Sequence, residues 1–260
     1  MNKHTKPWAM RTIIALAILT ATLPTAGAVE SKMPFAPGEK LEYQLRWESI
    51  PAGKAWLEVH AMKEINGEPT YHFVMRAESN GFVDIFYKVR DRIDAYADVG
   101  MNRSMRYEKK QREGEHHKEE IILFDWKNNK AQYSNYGKKE TPIDLMAGSF
   151  DPLSAFYFTR TADFSIGGQL ERAITDGQKN VIGRLKVVAR ETITTFFGKT
   201  YDTYRVEPEM NHVGGVFKES KDAKIELWVT ADEYRIPVRV KSKVAVGHFI
   251  GELISANTSP

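Results

Sequence analysis

From Leu41 onward, apolar and polar residues alternate. Leu41, Tyr43, Leu45 and Trp47 are separated by Glu42, Gln44 and Arg46, the period of two that gives a strand one buried face. Ile50-Pro51-Ala52-Gly53 interrupts the pattern, which resumes at Ala55, Leu57, Val59 and Ala61 and predicts an antiparallel hairpin. Asn66-Gly67, a strong turn pair, leads into Tyr71, Phe73, Met75 and Ala77. The same reasoning predicts strands at 92–98, 104–111, 119–126 and 130–135. In the C-terminal half it predicts them at 169–175, 185–195, 199–207, 225–229, 236–240 and 248–255.

Two segments depart from this period. Phe82, Ile85, Phe86 and Val89 fall at i, i+3, i+4 and i+7, one stripe of a short helix after Ser79-Asn80-Gly81. Asp151-Pro152 opens the second, with aspartate placed to accept free N–H groups and proline suited to the first helical turn. Leu153, Phe156 and Tyr157 then share a face. About a dozen strands joined by short turns predict a mainly β fold. The expected architecture is an antiparallel curved sheet forming an open or half β-barrel, with two short helices packed on it. No repeat or linker divides the chain, so residues 29–260 read as a single β-rich domain with a seam near 138–150.

The first 28 residues change the picture of where this domain works. Lys3, Lys6 and Arg11 precede an apolar run from Ile13 to Leu19, and Ala26-Gly27-Ala28 supplies a small-residue cleavage site. This reads as a signal peptide, since the apolar run is far short of the ~20 residues of a membrane span. The whole chain carries 37 basic and 34 acidic residues, and removal of those three cations leaves 34 of each. The basic excess is thus part of the export signal and does not point to nucleic acid. The chain has no cysteine, which excludes disulfides, thiol catalysis, thiolate metal sites and a lipid anchor on cysteine. The periplasm is the expected compartment and secretion the alternative, with no transmembrane segment in the mature chain.

Candidate chemistry is sparse. His116-His117 are strand neighbours that point to opposite faces and cannot easily share one ion. The remaining histidines show no ligand spacing, so no metal or cofactor is expected, and no serine sits in a G-x-S-x-G elbow. Arg90 and Asp91 form a possible polar structural site where the first helix meets a strand. Asp91 and Asp94, with a distant partner, are the carboxylates a glycan hydrolase could use. Aromatic residues are the last clue. Trp56 and Trp228 fall opposite the aliphatic rows of their strands, so both faces of part of the sheet are apolar. The candidate ligand-binding residues are therefore Trp47, Trp56, Phe82, Phe86, Trp126, Phe156, Tyr157 and Trp228, with core packing as the competing reading.

Several blocks carry a resemblance. Gly38-Glu39-Lys40-Leu41-Glu42-Tyr43, Pro51-Ala52-Gly53, Arg90-Asp91-Arg92 and the run from Asp151 to Tyr157 resemble landmarks of the bacterial exported family known as domain of unknown function 3108 (DUF3108). So do Leu227-Trp228-Val229 and Ile236-Pro237-Val238. The resemblance implies an exported β protein without an established activity. The closing pattern is more distantly similar to periplasmic lipoprotein-carrier half-barrels, whose hydrophobic concave face, partly lidded by helices, holds acyl chains. This chain departs from the membrane-anchored receptor among them in lacking the lipid-bearing cysteine. The expected function is an exported protein that binds a lipid or other apolar ligand, or acts as an envelope chaperone. The alternatives are a structural or partner-binding envelope protein and a carboxylate-based glycan hydrolase.

Overall fold

Alternation becomes a meander. In the computed structural model, which describes residues 33–209, 224–243 and 247–258, seven strands follow one another. They are β1 (Lys40–Trp47), β2 (Ile50–Ile65), β3 (Glu68–Ser79), β4 (Arg90–Asp98), β5 (Ser104–Glu113), β6 (His116–Asp125) and β7 (Lys130–Asn135). The short β8 (Lys138–Lys139) and β9 (Ile143–Asp144) add to β7. A second meander comprises β10 (Gln169–Thr175), β11 (Asn180–Thr194), β12 (Thr200–Pro208), β13 (Lys224–Thr230), β14 (Pro237–Lys243) and β15 (His248–Asn257). The last strand, β15, pairs with the first, β1, and makes one antiparallel sheet of the two, with β10 at one end and β7 to β9 at the other. The fold is mainly β, as the alternation predicts. The proposed leader, residues 1–28, lies outside the described residues.

Register places the apolar rows on one face. Val59, Phe73, Ala95, Tyr107, Ile122 and Tyr133 are successive cross-strand partners from β2 to β7. Val187, Val206, Leu227 and Val240 form a corresponding row from β11 to β14. The sheet curls around this face without closing through a strand ladder. The β10–β11 turn instead reaches the opposite edge: Gln178 Nε2 donates to the Glu140 carboxylate at 2.9 and 3.0 Å, and Asn180 Nδ2 donates to the Asp144 carbonyl at 2.6 Å. Gly177 is needed at this approach. Its φ is +82°, and a Cβ there would stand 3.0–3.2 Å from Ile122 and Tyr133.

Two helices interrupt the strands: α1 (Gly81–Asp84) and α2 (Pro152–Thr159). The second is capped as its sequence predicts. Asp151 Oδ1 accepts from the backbone N–H of Leu153 and of Ser154, both at 2.9 Å, and Pro152 occupies the first turn. Ser104 Oγ donates to Asp151 Oδ2 at 2.5 Å and anchors the cap to β5. Too short to be stable alone, α2 is held by packing inside the curl. Tyr157 is 0% exposed and stacks on Phe73 with ring centroids 3.9 Å apart, while Phe35 meets both rings edge-on.

The first helix differs from its pattern. It has a single turn, none of its residues is buried, and Ile85 and Phe86 are 73% and 76% exposed. The stripe that predicts a longer packed helix is a solvent-facing apolar loop, because Asp84 and Arg90 tie the segment down as a short connection. The first turn also differs. It occupies Glu48 and Ser49, and Ile50 to Gly53 already pair in β2. Glu48 has a φ of +49°, supplying the tight reversal that proline and glycine nearby suggest for the following residues.

Candidate functional site

The concave face is filled on one side of α2 and open on the other. Beneath Tyr157 lie Phe73, Ala95 and the other residues of the first row, fully buried or nearly so. Across the helix, between it and β10 to β14, is a cavity of about 620 Å3. The helix contributes Pro152, Ala155, Phe156 and Thr159. The sheet contributes Leu170 and Ile174 from β10, Leu185 from β11, Val206 from β12, Leu227 and Val229 from β13, and Val240 from β14. The volume falls within the ~300–1,000 Å3 usual for small-molecule sites, which are likewise apolar with few polar groups. The void has a local cause: α2 packs on β3, β4 and β10, and the strands beyond present leucine and valine where the first half presents aromatic rings.

Polar groups stand around this lining. Arg160, which caps the C-terminus of α2, is committed elsewhere: its guanidinium donates to both Glu39 oxygens at 2.6 and 2.9 Å, and to the carbonyls of Pro34 and Tyr234. Both side chains of this ion pair are 1% exposed. Arg184 pairs with Glu171 at 2.6 Å and with Glu209 at 3.5 Å. Arg172 instead lays its guanidinium over the Phe158 ring, 4.1 Å from the centroid.

The residues singled out from sequence are dispersed. Phe156 lines the cavity, and Tyr157 beside it is buried in the filled half. Trp47 and Phe249 are exposed cross-strand partners next to Ile50, outside the cavity lining. Phe82 and Phe86 touch each other on the exposed α1 loop, with ring centroids 5.9 Å apart. Trp56 lies on the convex face under the Arg76 guanidinium. Trp126 donates to the Ser104 carbonyl at 2.7 Å and borders a wider, more polar surface cleft with Glu68, Asp125 and Lys130. Trp228 is also convex-facing yet 8% exposed, its indole N–H donating to Glu191 at 2.7 Å. It is covered because the β11–β12 hairpin, bent by a register shift between Val187 and Ala189, folds over the outside of the sheet. There Arg239 donates to the Thr194 carbonyl, and Glu252 accepts from the Phe196 N–H.

The carboxylates separate as well. Asp91 and Asp94 are three residues apart on one strand and therefore point to opposite faces, so this pair cannot flank one glycosidic bond. Burial works against ionisation of Asp94, but hydrogen bonds from His72 and Arg92 hold its carboxyl well below the usual range. Asp91 is pushed up to about 6, first by burial and further by Glu113 beside it, even though the Arg112 N–H donates to it at 2.8 Å. Arg90 is paired not with Asp91 but with Asp84 at 2.6 Å, locking α1 to β4. Among the described residues no three His, Asp or Glu side chains form a metal-binding group, and no helix is long and apolar enough to cross a membrane. The sheet edges are partly covered: Phe150 bridges β10 in parallel at Ile174, and the two-residue β8 and β9 pair with β7.

Sequence reasoning missed the aliphatic lining. Leu170, Leu185, Val206 and Leu227 read as ordinary inward positions of strands, and nothing in a period of two says whether the opposing space is occupied.

A family model described as a protein of unknown function (DUF3108) matches residues 42–254. The chain belongs to this family. No curated protein matches it. Among solved structures it is similar to a beta-barrel-like protein of the domain of unknown function DUF1849 from Brucella abortus. That match has 12% identity and a TM-score of 0.53, covering 85% of this chain and 97% of that one. Weaker likenesses are to a candidate lipoprotein from Parabacteroides distasonis (12% identity, TM-score 0.34, 86% and 98% covered) and a candidate exported protein with a YmcC-like fold from Bacteroides fragilis (9%, 0.30, 86% and 98%). The DUF1849 match supports the fold of this DUF3108 member, and at such identity it carries no function.

Proposed function

We propose that this DUF3108 protein is exported to the periplasm and binds an apolar ligand, a lipid or acyl chain, between α2 and strands β10 to β14. The carrying observation is the cavity of about 620 Å3 with its aliphatic lining. An apolar lining of this extent is open to water, and an acyl chain would bury it. The leader-like residues 1–28 support export. Phe156 is the sequence-derived candidate that would touch the ligand; the other aromatic candidates lie outside the lining.

Native mass spectrometry with added oleyl alcohol tests the reading. One bound chain per protein is expected, and Leu227→Trp with Val240→Phe, register neighbours in the lining, should weaken binding by about tenfold by occupying the space. Absence of a bound chain at saturating alcohol would sink the proposal. Cell fractionation checks the compartment, the expected result being release with the periplasmic contents.

A further inference from the structure

Two cations of the cavity lining make no ion pair among the described residues. Arg172 pairs in register with Gly183, between the Leu170–Leu185 and Ile174–Val181 pairs, so its side chain rises from the same face as the aliphatic lining. Its guanidinium rests over Phe158, and among the described residues it makes no hydrogen bond or ion pair. Lys179, in the turn between β10 and β11, also lines the cavity, and its ammonium likewise has no partner among the described residues. Asp176 lines the cavity too, and its carboxylate accepts from the backbone N–H groups of Gln178 and Lys179 at 3.0 and 2.9 Å. The two other arginines of the lining, Arg160 and Arg184, are both neutralised by glutamates. The site therefore combines an aliphatic interior with two exposed cations, Arg172 and Lys179, set beside the carboxylate of Asp176.

We infer that the ligand is an anionic amphiphile, an apolar chain ending in a carboxylate or phosphate that Arg172 and Lys179 receive. The inference rests on the cavity being the binding site. Arginine is suited to this task because its planar fork can donate two parallel hydrogen bonds to either oxyanion. Stacking on Phe158 also holds the guanidinium in place before the ligand arrives, which lowers the ordering cost of binding. A neutral ligand would gain nothing from these cations.

Titrations with oleate, oleyl alcohol and oleoyl-lysophosphatidylglycerol test it. The purified protein should bind oleate more tightly than the alcohol by on the order of tenfold, the low end expected for a partly exposed charge-assisted hydrogen bond. Arg172→Gln with Lys179→Gln should bring oleate down to the alcohol while leaving alcohol binding in place. Arg190→Gln, which removes a cation paired with Asp202 outside the lining, should leave the preference intact and so separates a specific contact from overall charge. Tighter binding of the lysophospholipid than of oleate would assign a phosphate head, and the reverse a carboxylate. Equal binding of oleate and alcohol, or a preference that survives the double substitution, would overturn the inference. Binding of neither chain would instead overturn the cavity reading beneath it.

Discussion

The two halves of the curled sheet use the same alternation for opposite ends. Strands β1 to β7 turn Phe73, Tyr107, Ile122 and Tyr133 inward, and α2 completes that half with Tyr157. Strands β10 to β14 turn Leu185, Val206, Leu227 and Val240 inward and leave about 620 Å3 uncovered beneath the same helix. One helix thus has a core face and a site face, with adjacent residues, Tyr157 and Phe156, on either side. The largest buried cluster lies in the first half, and the second combines a smaller cluster around Phe164 and Val206 with the cavity.

Truncation on the two sides of α2 should break this comparison most sharply. Tyr157→Ala empties a fully buried, stacked position and should cost about 3–5 kcal/mol in urea unfolding. Phe156→Ala removes a ring that already faces open space and should cost about 1 kcal/mol, while weakening binding of the chain. Similar losses for both would mean that the second half is packed as tightly as the first.

Next in size is the ion pair that joins the halves. Arg160 binds Glu39 ahead of β1 and the Tyr234 carbonyl in the β13–β14 turn, with both charges out of solvent. Glu39→Gln leaves a buried guanidinium without its counter-charge and should lower stability by about 3 kcal/mol. Thermal unfolding should stay a single transition if the pair supports both halves together. Two separated transitions would show that they are held independently.

Sequence carried the first half of this comparison better than the second. Leu41, Tyr43 and Phe73 declare their buried face through a period of two, and Asp151-Pro152 declares the start of α2 through capping chemistry. Burial of Trp228 depends on a hairpin folding over the outside of the sheet, a contact between residues 37 apart in its Glu191 hydrogen bond. The α1 stripe misled because periodicity records which side chains share a face and not whether anything covers it. Phe86 shares its stripe and faces solvent. The cavity was illegible for the same reason. Leu227 has the same pattern whether an aromatic ring or open space lies opposite, and that Arg172 makes no ion pair among the described residues, while Arg160 and Arg184 do, is visible only in the fold.

The filled half carries its own cost at one end, where Asp91 shares the inward face with Ile93 and Ala95. Its carboxyl loses its proton near 4 in the unfolded chain but only near 6 in the fold. Stability is therefore fully present below about pH 4 and declines as pH rises through about 6, since the unfolded state releases that proton first. Asp91→Asn removes the dependence while keeping an oxygen for the Arg112 N–H. With discounting for solvent around a half-buried group, the variant should be more stable by about 1 kcal/mol at pH 7.5 and equal to the parent at pH 4. A pH-independent difference in urea midpoints would place the dependence on other groups.

The smallest effect comes from adding volume to the hollow half. Leu227→Phe enlarges a side chain that faces the cavity, where a ring can extend without displacing a neighbour. Enlargement in a well-packed core costs about 1–3 kcal/mol because neighbours leave their rotamers. Here stability should change by less than about 0.5 kcal/mol, with any shift toward higher stability from new contacts to Phe156 and Val206. The measurement is the urea midpoint of ligand-free protein, since a bound chain would add its own stabilisation by mass action. A core-like loss would mean that the space beneath α2 closes in solution, and the contrast between a filled and a hollow half would then belong only to the ligand-bound state.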